Sequence, residues 1–329
     1  MGADALSDVL NSVRLTGAVF FTITANAPWV AEQPARAKIL QRLMPHASHL
    51  IGYHVITRGR CYANLIGGEP VPLEAGEVIV FTQGDGHVVS SSPGMRAVPG
   101  APDAIDAGGD GELPFRITMG DTGADPAQFV CGYLACGEQP FNPLFRSLPR
   151  VMKVGEAPDN AGWLGELSRR AMAEAAEPRT GGASVLAKLS ELMFIEVVRR
   201  HIESVAPEQD GWIAGLRDPF VGQAISVLHA APAQAWTIDE LAKRVGLSRS
   251  VLAERFTAKA GMPPMQYLAQ WRMQIAAGML RDGANVATVA AETGYGSEAA
   301  FSRAFKKLVG SPPAEWRRMH AVRKKDEAA

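Results

Sequence analysis

The sequence predicts a multidomain α+β fold with an antiparallel β-barrel at the N-terminus, a helical linker and an all-α C-terminal third. Three observations support this prediction. Short β-branched and aromatic runs, separated by turn residues, occupy the first 150 of the 329 residues. A helical spacing of apolar residues begins near residue 159. A pattern of short helices then occurs twice after residue 217.

The predicted barrel rests on several short strand-like runs, which include residues 18–23, 50–57, 77–82 and 128–135. Turn signals such as Gly67-Gly68 separate them. Many short strands bounded by turn residues are typical of an antiparallel barrel or a double-sheet roll. The segment 99–114, rich in Gly, Ala, Pro and Asp, has little to bury and predicts a mobile loop.

The helical linker is predicted from an apolar stripe. Leu186, Leu189, Met193 and Val197 follow a three-four-four spacing, which indicates an amphipathic helix over residues 183–202. A second copy of this helix would cover the stripe in a homodimer, and packing within the chain is the alternative. We expect domains at residues 1–155, 156–211 and 217–319, the middle one being the linker and dimerisation segment.

The charge distribution favours a polyanionic partner for the C-terminal third. Residues 1–211 carry 17 Lys and Arg against 24 Asp and Glu, whereas residues 212–329 carry 16 against 10. The uncharged stretch 15–31 contains Asn26 and Pro28 and is too short and polar to cross a bilayer. Three cysteines in a long chain do not form a disulfide framework. We therefore expect a cytoplasmic protein with no membrane partner.

The C-terminal third contains an internal repeat. A gap-free shift of 49 residues superposes Ala242 on Ala291, Ser248 on Ser297, Leu252 on Phe301, Phe256 on Phe305 and Gly261 on Gly310. Each copy reads as a short helix, a tight turn, a Ser N-cap and a second helix with two buried residues at i, i+4. This is the helix-turn-helix layout, whose second helix can enter the DNA major groove.

The buried positions of each second helix define the exposed ones, which are the candidate DNA-contacting residues. They are Arg249, Ser250, Ala253 and Glu254 in the first copy and Glu298, Ala299, Ser302, Arg303, Lys306 and Lys307 in the second. Arg303 is the strongest candidate for base readout, because a guanidinium can bond guanine O6 and N7 together. Lys306 and Lys307 suit phosphate contacts.

Alternatives exist for individual residues. Arg303 could contact phosphate or water, and Glu254 could pair with Arg255. The helix predicted at 265–281 could hold the two recognition helices about 34 Å apart, the distance between successive major grooves.

The repeat resembles the DNA-binding domain of AraC/XylS-type transcription regulators over residues 217–319. The first half carries Gly246, Leu247, Ser248, Leu252, Phe256, Gly261 and Tyr267, and the second carries Gly294, Tyr295, Gly296, Ser297, Phe301, Ser302, Arg303, Phe305, Gly310, Pro313 and Trp316. Trp316 stands where the family usually has Tyr or Phe. The resemblance implies sequence-specific binding to a bipartite promoter or operator site, with RNA polymerase as a candidate partner. In the first copy, the second helix carries the short or acidic residues Ser250, Ala253 and Glu254 at its exposed positions. We therefore expect base readout mainly from the corresponding helix of the second copy.

The N-terminal region resembles the second motif of cupin barrels, on Gly76, Gly84 and His87, with Thr82 in place of the usual Pro. The resemblance implies a sensor domain for an unidentified small-molecule effector, and His54 is the residue best placed to meet His87. The chain has no His-x-His pair, and two imidazoles fall short of the usual three or four protein ligands of a metal. We therefore expect no metal, no cofactor and no enzymatic activity, although a cupin oxygenase or isomerase is the enzymatic rival.

The signal could instead be redox, sensed by Cys131 or Cys61, and small buried thiols are the alternative reading of these residues. A nucleoid-like protein that binds DNA without sequence preference is the structural rival. The sequence favours a ligand-responsive transcription regulator.

Overall fold

The computed structural model describes residues 4–33, 47–98, 115–120, 126–155, 163–177, 179–206 and 209–326. The loop predicted at 99–114 lies outside these residues. The chain forms two compact units, each assembled from separate segments. The strand unit comprises Leu15–Gly137 and Leu148–His201. The helical unit comprises Met1–Arg14, Glu138–Ser147 and Ile202–Ala329.

The strand unit contains the predicted strands 18–23, 50–57, 77–82 and 128–135, and each begins and ends within two residues of its predicted bounds. The described strands are β1 (Thr16–Ala25), β2 (Val30–Gln33), β3 (His49–Arg58), β4 (Arg60–Leu65), β5 (Val71–Glu74), β6 (Val78–Phe81), β7 (His87–Ser90), β8 (Phe115–Met119), β9 (Ala127–Cys136) and β10 (Val151–Val154). One sheet has the order β10-β6-β3-β9-β1-β8 and the other β2-β7-β4-β5.

The predicted α+β layout with a strand-rich N-terminal domain is confirmed, and its described strands lie in two open sheets instead of a closed barrel. The described strands form two sheets that are not closed into a ring, and β8 runs parallel to β1, with Phe21 opposite Phe115. Parallel neighbours cannot be joined by a hairpin, and strands β2 to β7 lie between β1 and β8 in the sequence. The apolar core draws side chains from both sheets, among them Phe21, Phe129 and Cys61.

Helices are described in both units. They are α1 (Ala5–Val13), α2 (Pro143–Ser147), α3 (Trp163–Ala176), α4 (Gly182–Ser204), α5 (Trp212–Arg217), α6 (Pro219–Ala230), α7 (Ile238–Arg244), α8 (Arg249–Ala260), α9 (Pro264–Arg281), α10 (Val286–Glu292), α11 (Glu298–Val309) and α12 (Pro313–Asp326). Within the described ranges, none is both long and apolar enough to cross a membrane.

The predicted amphipathic helix exists as α4, but three of the four residues of its stripe are covered by the chain itself, and Leu189 is half-buried. Leu186, Met193 and Val197 are buried, and a small gap between α4 and the six-stranded sheet is lined from the sheet by residues such as Ile51 and Leu134. The hydroxyls of Tyr53 and Ser190 form a hydrogen bond of 2.7 Å across this contact. Packing within the chain, the alternative reading of the stripe, is therefore what the structure shows.

The helical unit recruits two segments from far away in the sequence. Helix α1 packs against α6 and α9. In the segment before α2, the ring of Phe141 lies edge-on to Tyr267, with centroids 5.3 Å apart. The backbone N–H of Phe141 donates to Gln274 Oε1 at 3.2 Å. The core of the C-terminal helices is thus completed by residues more than a hundred positions earlier.

The two copies of the repeat align with one inserted residue. Recognition helices α8 and α11 are related by the predicted shift of 49, but α7 and α10 are related by a shift of 48. Ala242 therefore corresponds to buried Ala290 and not to exposed Ala291. The gap-free superposition is wrong for the first helix of each copy. The extra residue falls in the second turn, which can accept it without changing the buried faces.

Candidate nucleic-acid interface

Each recognition helix begins as the sequence predicted. Ser248 Oγ accepts a hydrogen bond from the backbone N–H of Val251 at 3.4 Å, and Ser297 Oγ accepts one from Ala300 at 3.2 Å. These contacts satisfy N–H groups that the first turn of a helix leaves without partners. Gly246 and Gly294 hold the preceding turns with positive φ, at +75° and +78°.

The inner faces are fixed by four side chains that are completely buried: Leu252, Phe256, Phe301 and Phe305. Phe256 lies edge-on to Tyr267 with centroids 5.5 Å apart, and Phe305 lies edge-on to Trp316 at 6.0 Å. Trp316 thus fills in the second copy the place that Tyr267 fills in the first. With one face anchored in this way, the opposite face of each helix is directed to solvent.

All ten predicted DNA-contacting residues lie on these outer faces. Ala253 and Ser302 are half-buried, and the others are exposed: Arg249, Ser250, Glu254, Glu298, Ala299, Arg303, Lys306 and Lys307. The four residues of the first copy occupy the same helix positions as Glu298, Ala299, Ser302 and Arg303 in the second, and Lys306 and Lys307 lie further along α11.

The charges differ between the two helices. Arg249 lies 3.5 Å from the Asp239 carboxylate. Arg255 binds Asp218 at 2.7 Å, and Glu254 forms no ion pair with it or with any other described residue. In the described part of the chain, Arg303, Lys306 and Lys307 also lack ion-pair partners. Helix α11 therefore presents three uncompensated cations, whereas both arginines of α8 already face an acid.

The strand unit brings His54 and His87 into direct contact. Their Nε2 atoms are 2.8 Å apart, and both side chains are buried. His87 Nδ1 lies 3.0 Å from the carbonyl oxygen of Asp85. Because that carbonyl can only accept, Nδ1 of His87 carries a proton and its Nε2 accepts from His54. Neutral His54 then has an unprotonated Nδ1, which is buried and has no hydrogen-bond partner among the described residues.

Both imidazoles are held neutral. Burial lowers the pKa of His87 to about 4. The pKa of His54 is also lowered, first by burial and second by neighbouring His87. Phe81 stacks on His87 with ring centroids 3.9 Å apart, which adds an apolar wall. Among the described residues, no group of three or more His, Cys, Asp or Glu side chains is arranged to hold a metal ion.

Two polar residues near this pair were not predicted. Tyr133 donates a hydrogen bond to Gln33 Oε1 at 2.8 Å, and both side chains are buried. A side chain built at Gly52 would meet both His87 and Tyr133 at 3.4 Å, so the two rings are neighbours. Strand alternation on β9 could have placed Tyr133 on the face of Cys131. Nothing in the local pattern marks Gln33.

The cysteines are buried and unpaired with one another. Burial raises the pKa of Cys61 to about 12 and raises that of Cys131 as well. A thiol with a raised pKa is a poor nucleophile at neutral pH, because the thiolate is the reactive form.

Comparison with known proteins identifies both regions. A family model described as Cupin matches residues 4–203, and one described as Helix-turn-helix domain matches residues 241–319. A putative AraC-like transcription regulator of Streptomyces lividans is 30% identical over 324 residues, covering 96% of this chain and 98% of its own. The transcriptional regulator AlkR of Acinetobacter baylyi is 25% identical over 317 residues, covering 95% and 99%.

Among solved structures, the DNA-binding domain of the transcriptional factor AdpA, in complex with a target DNA, is 27% identical. It covers 33% of this chain and 97% of its own, with a TM-score of 0.31. The full-length relatives are named as transcription regulators and not as enzymes. From the near-complete coverage at 30% identity and the cupin match over more than half of the sequence, the chain belongs to the AraC family of DNA-binding transcription regulators, with a cupin-type N-terminal domain.

Proposed function

We propose that the protein is a cytoplasmic, sequence-specific regulator whose two recognition helices read adjacent major grooves and whose strand unit senses a small molecule. The observation that carries the proposal is the pair of N-capped helices, α8 and α11, with anchored inner faces and solvent-facing outer residues. Two such units in one chain match a bipartite DNA site.

The second helix is the principal reader in this proposal. Arg303 has no competing acid among the described residues and can form two hydrogen bonds to a guanine. Lys306 and Lys307 lie further along α11, where they can neutralise phosphates. Arg249 must give up its contact with Asp239 before it can bind DNA. Helix α8 therefore contributes less base readout.

The test compares Arg303→Ala with Lys307→Ala on sites selected by the protein from genomic DNA. Loss of Arg303 should weaken binding to the selected site by about 1–3 kcal/mol and leave binding to random duplex nearly unchanged. Loss of Lys307 should weaken binding to the selected site and to random duplex alike. It should also reduce the slope of log affinity against log salt concentration by about one. If Arg303→Ala weakens both duplexes equally, Arg303 is a phosphate contact, and equal wild-type affinity for every duplex would favour the nucleoid-like reading.

For the effector we propose contacts with the buried polar group of His54, His87, Tyr133 and Gln33. Support comes from the buried Nδ1 of His54, which has no hydrogen-bond partner in the described part of the chain and could accept a hydrogen bond from a ligand. The redox alternative on Cys131 or Cys61 predicts rapid reaction of a native thiol with an aromatic disulfide reagent at pH 7. Their burial and raised pKa lead us to expect reaction only after unfolding.

For the homodimer we propose the outer side of α4 in place of the predicted stripe. Val185 and Leu192 are 46% and 40% exposed, and half-buried Leu189 lies between them on the same helix face. Leu192→Glu should convert a dimer to a monomer in sedimentation velocity at unchanged circular dichroism. A wild type that sediments as a monomer at tens of micromolar would remove the proposal.

A further inference from the structure

The helical unit contains a cavity of about 260 Å³ that neither the repeat nor the cupin resemblance accounts for. It lies where α2 and the segment before it meet the C-terminal end of α8. Its wall includes the apolar side chains of Phe141, Trp212 and Met262 and the cationic side chains of Arg146 and Lys259. Every lining residue belongs to the helical unit.

The cavity combines an apolar floor with a cationic rim. Phe141 and Trp212 are each 3% exposed, so both rings are surrounded by protein and present a small part of their surface to the cavity. Arg146 is exposed and forms no ion pair with a described residue. Lys259 is largely buried; its Nζ donates to the carbonyl oxygen of Gln209 and lies 3.6 Å from the Asp210 carboxylate.

The acid at this rim does not cancel both cations. Asp210 is 77% exposed, and its attraction for Lys259 is screened by water. Arg146 is left as uncompensated positive charge beside an aromatic wall. A guanidinium binds a carboxylate more strongly than a neutral acceptor, through two parallel hydrogen bonds. Mostly apolar cavities with a few convergent polar groups are typical of small-molecule sites.

We propose that this cavity binds a small organic anion, an aromatic ring joined by a short chain to a carboxylate. The size is just below the range of drug-sized sites, roughly 300–1,000 Å³, and suits a ligand of about ten heavy atoms. The ring would pack on Phe141 and Trp212, and the carboxylate would pair with Arg146. This site lies in the helical unit and is separate from the effector contacts proposed for the strand unit.

A ligand bound in the cavity would influence the DNA-binding helices through lining residues that already contact α9 or end α8. Phe141 contacts Tyr267 and hydrogen bonds to Gln274 on α9. On the other side of the cavity, Gly261 ends recognition helix α8 in the left-handed conformation. A ligand that touches both walls couples its own binding to the placement of α8, and DNA binding must then alter ligand affinity by the same factor.

The experiment measures binding of 3-phenylpropanoate to the full chain by calorimetry, with no DNA present, and compares it with the uncharged 3-phenylpropan-1-ol. We expect saturable 1:1 binding of the carboxylate at about millimolar concentration or tighter, and at least fivefold weaker binding of the alcohol. Because no DNA is used, this result stands apart from any failure of the DNA-binding proposal.

Two variants and a control locate the site. Arg146→Gln should weaken carboxylate binding about five- to tenfold, and Met262→Trp should abolish it by filling the cavity. Lys243→Gln removes an exposed cation on α7 that does not line the cavity, and it should bind like wild type. The proposal is overturned if the alcohol binds as tightly as the carboxylate, if Arg146→Gln binds like wild type, or if no saturable binding occurs up to about 10 mM. Arg146 is a surface residue, so its variant tests the site even if Met262→Trp fails to fold.

Discussion

Two glycines of the repeated turns have the same backbone conformation but different surroundings. Gly246 and Gly294 both have positive φ. A Cβ at Gly246 would meet nothing within 4 Å, whereas one at Gly294 would lie 2.3 Å from the carbonyl oxygen of Ala233. Gly246→Ala should therefore cost only the left-handed strain, about 1–2 kcal/mol.

Gly294→Ala adds a backbone clash of about 1–3 kcal/mol or more to that strain. Urea unfolding followed by circular dichroism should rank the two variants in this order. Equal destabilisation would mean that Ala233 moves aside at little cost. The sequence predicted the first turn at residues 246–248 and the second at residues 295–297, one position after Gly294. The close approach of Ala233 to Gly294 depends on tertiary packing and could not be predicted.

The His54–His87 pair makes stability depend on pH. Between pH 6.5 and about 4 the unfolded chain binds protons that the buried neutral pair does not, because burial lowers both pKa values. The free energy of unfolding should therefore decrease as the pH falls through this window, by up to about 1.4 kcal/mol per pH unit for each imidazole.

His54→Gln isolates this contribution, since its amide can still donate to His87 Nε2 while one titrating group is lost. The slope of the unfolding free energy against pH should be smaller than in wild type by the contribution of one proton, about 1.4 kcal/mol per pH unit. Urea titrations from pH 7 to pH 4.5 measure this slope. Parallel slopes for the two proteins would show that His54 is protonated in the folded state or that the pair separates.

At the scale of single elements, the sequence predicted which face of a helix is buried better than it predicted what that face packs against. Apolar spacing located α4 and the buried residues of α8 and α11, because periodicity reports which side of a helix must leave water. It could not tell whether the α4 stripe meets another copy or the chain's own sheet. The single inserted residue in the second turn was also missed, because small alanines align almost equally well at shifts of 48 and 49.

The contact of α4 with its sheet predicts a large packing penalty. Met193 is buried at that contact, so Met193→Ala should reduce the free energy of unfolding of the strand unit by about 2–5 kcal/mol. The matched control is Ile66→Ala, which removes a similar volume from a side chain that is 44% exposed in the same unit; we expect a loss below about 1 kcal/mol. Similar losses in both variants would mean that α4 is not held by this face.

At the scale of the whole molecule, the unit boundaries do not follow the order of the sequence. Helix α1 and the segment 138–147 belong to the helical unit, although β1 directly follows the helix and β9 and β10 flank the segment. Arg14, the residue after α1, binds Asp282, the residue after α9, at 2.6 Å. Glu138 lies 3.4 Å from His320 on α12. Contacts between residues so distant in sequence leave no local pattern, and no periodicity could have predicted them.

These contacts predict that the two units lose stability independently. Phe141→Ala should weaken the helical unit by roughly 3–5 kcal/mol, because its ring is buried against Tyr267. Phe129→Ala should have a similar effect on the strand unit, where Phe129 stacks on Trp29 at 5.4 Å. Hydrogen exchange resolved by peptide mass spectrometry reads each unit separately.

The first variant should accelerate exchange in α9 and spare β3, and the second should do the reverse. Faster exchange in both units from either variant would mean that they unfold as one cooperative body. In that case a ligand that stabilises one unit would stabilise the other as well. Separate unfolding would instead mean that the stability of either unit can change while the other keeps its own, although the chain passes between the two units several times.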